Sequence, residues 1–194
     1  NVIYFCTMTK IAIFASGSGS NAENIIKYFR GVEGVQVVLV LSNKKDALVL
    51  KRAQNNFVPT FVFTKQELNS GAKVLDKLCE TNASIIILAG FLLKIPNSLL
   101  NCYQNKIINI HPALLPKYGG IGMYGMHVHR AVVENNEFES GITIHYVNER
   151  YDDGAFIFQA KCTVLSSDTP EDVKAKVQAL ELLHFPKVIA SILK

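Results

Sequence analysis

No stretch of this 194-residue chain is both long and apolar enough to cross a bilayer. The longest apolar run, Ala83 to Ile95 (ASIIILAGFLLKI), already contains Lys94, whereas a spanning helix needs about 20 residues. The N-terminus lacks the basic start and small-residue cleavage site of a signal peptide, so a cytoplasmic location with no membrane partner is expected. There is no Lys/Arg block either. The 20 basic and 16 acidic residues give a net charge of +4, scattered along the chain without aromatic-basic interleaving, which argues against nucleic acid as a partner. So mild a positive balance suits an anionic small molecule. Cysteine is sparse: Cys6, Cys79, Cys102 and Cys162 form no C-x-x-C pair. A chain able to bury its own core needs no disulfide staples, so these read as buried thiols in a reducing compartment. H-E-x-x-H and comparable metal spacings are missing, and no metal is expected.

Internal repeats, low-complexity tracts and linkers are also absent, and a composition of 49% hydrophobic and 19% charged residues is ordinary for a globular protein. One domain over residues 8–194 is expected. Residues 1–7 (NVIYFCT) precede Met8 and read as an upstream extension or a cloning scar.

What the chain does have is a regular alternation of strand and helix. KIAIFAS (Lys10 to Ser16) is continuously apolar, as a parallel strand buried on both faces should be. A helix SNAENIIKYFR follows, with Ser20 or Asn21 as its N-cap and Ile25, Ile26 and Phe29 on one stripe. VQVVLVLSN, TFVFT, SIIILAG and KIINI read as further strands, separated by helices at DALVLKRAQNN, at QELNSGAKVLDKLCETN and at NSLLNCYQ. This succession predicts a doubly wound, mainly parallel α/β sheet, a Rossmann-like architecture with right-handed crossovers. After His111 a loop rich in Gly and Pro leads to a helix near MHVHRAVVENN. SGITIHYVNE and AFIFQAKCTVL then form an antiparallel C-terminal hairpin at the sheet's edge, joined by a tight polar loop RYDDG. A long C-terminal helix starts at DTPEDV, with Asp168 or Thr169 as cap, Pro170 in the first turn and a kink expected at Pro186.

Two places carry chemistry. The first strand empties into SGSGSNA, where Gly17-x-Gly19-x-x-Ala22 fits the fingerprint of a dinucleotide loop. Glycines let the backbone approach an anion, and free N–H groups at the helix start point towards it, so Gly19, Ser20 and Asn21 are expected to bind a phosphate. A nucleotide- or NAD(P)-binding Rossmann protein using the Gly17-x-Gly19 loop is therefore the alternative function. It calls for an acidic residue at the end of the second strand, where Asn43 stands instead.

The second place is NIHPALLPKYGG, Asn109 to Gly120. Asn109 and His111 are two apart on a strand, so they point the same way at its C-terminal end, and Pro112 prevents further ladder pairing. They could be polar caps of a strand end. His145 in the hairpin, however, with Asp152 and Asp153 in the following turn, adds an imidazole and a carboxylate. An amide, an imidazole and a carboxylate are the groups acyl transfer needs: donors for a developing oxyanion, and a carboxylate that keeps the imidazole charged and helps move a proton. His127 and His129, two apart on a helix, would point about 200° apart and do not form a metal pair.

The stretch NIHPALLPKY resembles the signature of the 10-formyltetrahydrofolate-dependent formyltransferases. SGSGSN, LAGF (Leu88 to Phe91) and GITIHYV…DDGA extend the likeness in order from Lys10 to Lys194. The resemblance implies a direct transfer of the formyl group of 10-formyltetrahydrofolate, a co-substrate, to the amine of glycinamide ribonucleotide in purine biosynthesis. It implies catalysis by Asn109, His111 and Asp152, phosphate binding at Gly19, Ser20 and Asn21, and contact of Glu181 with the substrate's amine region. The folate pocket would be formed by Phe91, Leu92, Leu93, Lys94 and Ile95 together with Val147, Asn148, Glu149 and Asp152, read largely through backbone groups. Lys94 is the candidate contact to the folate's charged tail. His145 would play a supporting part, and His127 and His129 stand outside the catalytic set. Members that act on tRNA or hydrolyse the folate carry further domains, not expected here. A monomer or weak homodimer is expected.

Overall fold

The structure, a computed structural model, describes residues 8–193, so the expectations for residues 1–7 and for Cys6 lie outside the described residues. The chain forms two compact units that divide after Phe91.

The first unit holds four parallel strands in the order β3-β2-β1-β4. These are β1 (Thr9–Phe14), β2 (Val35–Ser42), β3 (Thr60–Val62) and β4 (Ile85–Leu88). Residues Ile11, Ala12, Ile13 and Phe14 of β1 are wholly buried, as befits a central strand covered on both faces. Helix α1 (Ser20–Phe29) turns Ala22, Ile25, Ile26 and Phe29 inward, the stripe expected from its sequence. Its N-cap, however, is Gly19 rather than Ser20 or Asn21, and no side chain caps it. Gly19 has φ 76°, and a Cβ there would lie 2.5 Å from the Cβ of Val49 on α2 (Leu48–Asn55). Only glycine serves both demands, a left-handed backbone and close packing of α1 on α2. The long helix expected over QELNSGAKVLDKLCETN is two helices, α3 (Lys65–Ser70) and α4 (Ala72–Glu80). Gly71, at φ 78°, ends the first, and Thr64 starts it in a capping box with Glu67. The cysteines are not the buried thiols expected, since Cys79 on α4 and Cys102 on α5 (Asn97–Cys102) are exposed and Cys162, on a strand, is half-buried. The thiols of Cys79 and Cys102 sit on the outward side of short amphipathic helices, where period rather than residue type decides burial.

The second unit contains β5 (Ile107–His111), β6 (Glu139–Tyr146) and β7 (Phe156–Thr163), paired antiparallel in that order. Helix α6 (Met126–Glu134) and the long α7 (Pro170–Ile192) complete it, α6 packing on α7 and α7 on β6 and β7. Thr169 is the cap of α7: its hydroxyl accepts from the Asp172 N–H at 3.2 Å while Asp172 accepts from the Thr169 N–H at 2.9 Å. Pro186 lies inside α7 without ending it. The link between β6 and β7 is not the tight loop expected. It runs from residue 147 to 155, and within it Gly154 packs against the end of β6, since a Cβ there would meet the Tyr146 carbonyl at 1.7 Å. Among the described residues, no helix is long and apolar enough to cross a membrane.

Candidate active site

Strand β5 ends at His111, immediately before Pro112, and delivers Asn109 and His111 to the same side. Antiparallel pairing with β6 sets His145 opposite Asn109 and Thr143 opposite His111. The long β6–β7 link then brings Asp152 back to them. Asp152 adopts φ 53°, a left-handed conformation that Asp tolerates better than most residues, and its carboxylate becomes the hub of the group. Oδ1 accepts from the Asn109 amide at 3.5 Å and lies 3.6 Å from Nε2 of His145. Oδ2 accepts from the Gly120 N–H at 2.9 Å and lies 3.5 Å from Nδ1 of His111.

Two carbonyls orient the two rings. Nε2 of His111 is 2.7 Å from the Tyr118 carbonyl, and Nδ1 of His145 is 2.8 Å from the Tyr146 carbonyl. A carbonyl only accepts, so these nitrogens carry the protons. Nε2 of His145 lies 3.2 Å from the Asn109 amide nitrogen and 3.6 Å from Oδ1 of Asp152, so one ring nitrogen faces both groups. His145 thereby contacts both Asn109 and Asp152. Thr143 holds the turn after β5: its hydroxyl donates to the Ala113 carbonyl at 2.7 Å and accepts from the Leu115 N–H at 3.0 Å.

Electrostatics correct one expectation. Burial pushes the His111 imidazole below its ordinary pKa, with nearby His145 adding to the effect. These outweigh Asp152 and the Tyr118 carbonyl, which pull it up. Asp152 therefore does not hold His111 charged in the free chain, because desolvating the ring costs more than the carboxylate returns. For Asp152 the balance is opposite. Burial would raise its carboxyl, but bonding with His145, the field of His111 and the Gly120 N–H hold it below the ordinary range.

Other expected residues fall into place differently. Phe91 is buried with its ring against Phe14 (5.3 Å between centroids) and Phe63 (6.0 Å). Beyond it, Leu92 and Lys94 are exposed, Leu93 is half-buried and Ile95 is buried. Val147 donates its N–H to Ile107, while Asn148 and Glu149 are exposed, the former closing a turn onto the Arg150 N–H at 2.9 Å. Ser20 opens α1, Asn21 next to it is buried, and Glu181 is half-buried on α7. Asn43, standing where a dinucleotide-binding acid would, accepts from the Ser16 hydroxyl at 2.7 Å. His127 is exposed on α6 with its ring against Tyr124, whereas His129 is buried, its Nδ1 unpartnered and its pKa pushed down to about 4 by burial, Lys174 and His111.

Two positions that shape the surroundings of Asp152 escaped the sequence. Gly119 packs against Asp152, 3.3 Å from a built Cβ to Cβ, and Gly120 at φ 92° gives Asp152 its N–H. The Gly-Gly pair after the signature was the available signal, since glycine doublets mark close backbone approach.

The sequence profile described as Formyl transferase matches residues 9–189. The chain belongs to the formyl transferase family. The chain is 39% identical to phosphoribosylglycinamide formyltransferase, chloroplastic, of Arabidopsis thaliana over 94% of the chain and 65% of the relative. It is 35% identical to phosphoribosylglycinamide formyltransferase of Bacillus subtilis over 96% and 95% of the two chains. The crystal structure of the protein of that name from Bacillus halodurans superposes with a TM-score of 0.88 at 32% identity, covering 96% of each chain. The fold class is accordingly the doubly wound α/β type with an antiparallel C-terminal hairpin and long final helix. The chain spans less than two thirds of the plant relatives it matches, 65% for Arabidopsis and 60% for Vigna unguiculata.

Proposed function

We propose that this formyl transferase moves the formyl group of 10-formyltetrahydrofolate to the amine of glycinamide ribonucleotide, a step of purine biosynthesis. The observation that carries the reading is the convergence of Asn109, His111 and His145 on the Asp152 carboxylate in a member of this family. Relatives and solved neighbours bearing the name phosphoribosylglycinamide formyltransferase support the choice of acceptor. Residues 8–194 would work as one formyltransferase domain, which the single match over 9–189 supports. The free thiols at Cys79, Cys102 and Cys162 support a reducing, cytoplasmic setting.

The chemistry follows from the hydrogen bonds. As the amine attacks the formyl carbon, the new C–N bond forms and the carbonyl oxygen gains charge. The Asn109 amide donates to that oxygen. His111 is neutral at pH 7, so its Nδ1 lone pair, backed by Asp152, receives the proton that the amine gives up. Protonated His111 then faces the oxyanion as a second donor. When the bond from carbon to N10 breaks, the leaving folate takes the same proton, and nothing is consumed besides the formyl group. In this reading Gly19, Ser20 and Asn21 hold the substrate phosphate, Glu181 meets its amine region, and residues 91–95 and 147–152 hold the folate. None of this calls for a metal.

Removing one oxyanion donor costs roughly 10²–10³ in rate. Asn109→Ala and His111→Ala are each expected to lose at least that much formyl transfer, assayed with both substrates, while remaining folded by circular dichroism. Near-normal turnover by either variant would refute the assignment.

A further inference from the structure

We propose that Glu137 is a positioning residue for His111, acting through Tyr118: it anchors the tyrosine whose carbonyl decides which imidazole nitrogen carries the proton. Its catalytic meaning rests on the formyl-transfer reading, but the linkage itself does not.

The tautomer matters because the two ring nitrogens have different neighbours. Nε2 meets the Tyr118 carbonyl at 2.7 Å, and Nδ1 meets Oδ2 of Asp152 at 3.5 Å. A proton on Nε2 satisfies the carbonyl and leaves Nδ1 as the basic site beside Asp152. The opposite tautomer would set a lone pair against the carbonyl oxygen. Everything therefore depends on where that carbonyl points. Tyr118 holds it with φ 56°, a region that an aromatic residue rarely enters on its own. An outside hold is needed, and Glu137 supplies it.

The Tyr118 hydroxyl donates to Oε1 of Glu137 at 2.9 Å. The Lys117 ammonium donates to Oε1 and Oε2 of the same carboxylate at 2.9 and 3.1 Å. Two consecutive side chains thus close on one carboxylate, which clamps the turn between them. Glu137 is itself tied down. It lies between α6 and β6, its N–H donates to the Val132 carbonyl at 3.1 Å, and the preceding Asn136, at φ 51°, donates to Val133 at 2.9 Å. The clamped segment touches both partners of the catalytic pair, through the Tyr118 carbonyl on His111 and the Gly120 N–H on Asp152. The Glu137 carboxyl lies below its ordinary pKa because of Lys117 and Tyr118, so the anchor is ionised at neutral pH.

The test reads the tautomer directly. Long-range proton–nitrogen spectra of histidine-labelled protein distinguish protonation on Nε2 from protonation on Nδ1, and the His111 signals are those that vanish in His111→Asn. Wild type is expected to show only the Nε2–H pattern for His111. Glu137→Ala and Tyr118→Phe are expected to show mixed tautomers. Glu137→Gln, which keeps an oxygen for the tyrosine hydroxyl, should keep the wild-type pattern. In turnover, both disrupting variants should lose about tenfold in kcat with KM within twofold, and the double variant should be no slower than the worse single. Should Glu137→Ala fail to fold, Tyr118→Phe carries the test alone. An unchanged Nε2–H pattern in the disrupting variants would overturn the proposal. The expected spectra from a wild type inactive with both substrates would uphold the link and overturn the formyl-transfer reading instead.

Discussion

Of the described residues, the first unit buries the polar side chains of Ser16, Asn21 and Ser42, whereas the second buries those of His111, His129, Ser140, Thr143 and His145. Every buried imidazole is in the second. The first unit's strands are apolar and parallel, and a hydroxyl or amide is inexpensive to bury once bonded, as Ser16 is to Asn43. The second unit buries imidazole rings and offsets the cost through carbonyls, the Asn109 amide and Asp152. One half of the chain is built for stability, and the other gives up some stability to hold groups near the point of proton exchange.

Three experiments sharpen that contrast. The largest effect is expected in the first unit. Phe14 is fully buried between Phe63 and Phe91, and Phe14→Ala should cost about 4 kcal/mol in urea denaturation, without altering the His111 tautomer. A cost near zero would mean that this aromatic cluster does not carry the core.

The second concerns pH. His129 falls from 6.5 to about 4 on folding, so the unfolded chain binds the proton more readily. Stability is therefore fully present above about pH 6.5 and is lost as pH falls towards 4, by roughly 3 kcal/mol for this group alone. His111 shifts in the same direction. His129→Gln should flatten the dependence over that window, and an unchanged slope would remove His129 as its source. The smallest effect is expected at the surface pair Lys161–Glu139, 2.9 Å apart but with both side chains exposed. Lys161→Ala should change stability by less than about 0.5 kcal/mol.

Much of this organisation was legible beforehand, for identifiable reasons. The period-two rule put Asn109 and His111 on one face, and the apolar runs gave the parallel strands, because strand patterns are local. Asp152 was legible as one of two turn carboxylates, and only the resemblance separated it from Asp153, since its place depends on how the 147–155 link returns. The split at Gly71 was hidden because both helices keep one apolar period on either side of it. The charge state of His111 was missed for a different reason. Sequence shows that a carboxylate is present but not how much water is excluded, and exclusion decided the outcome. Likewise the exposed thiols of Cys79 and Cys102 depended on which way short helices face.

The central claim is that Asp152 organises a formyl-transfer site. The direct measurement compares formyl transfer from 10-formyltetrahydrofolate to glycinamide ribonucleotide by wild type and by Asp152→Asn. Robust wild-type turnover that falls by at least about a hundredfold in the variant, with folding intact, is the predicted result. Equal turnover by both proteins, or none by a folded wild type saturated with both substrates, would contradict it.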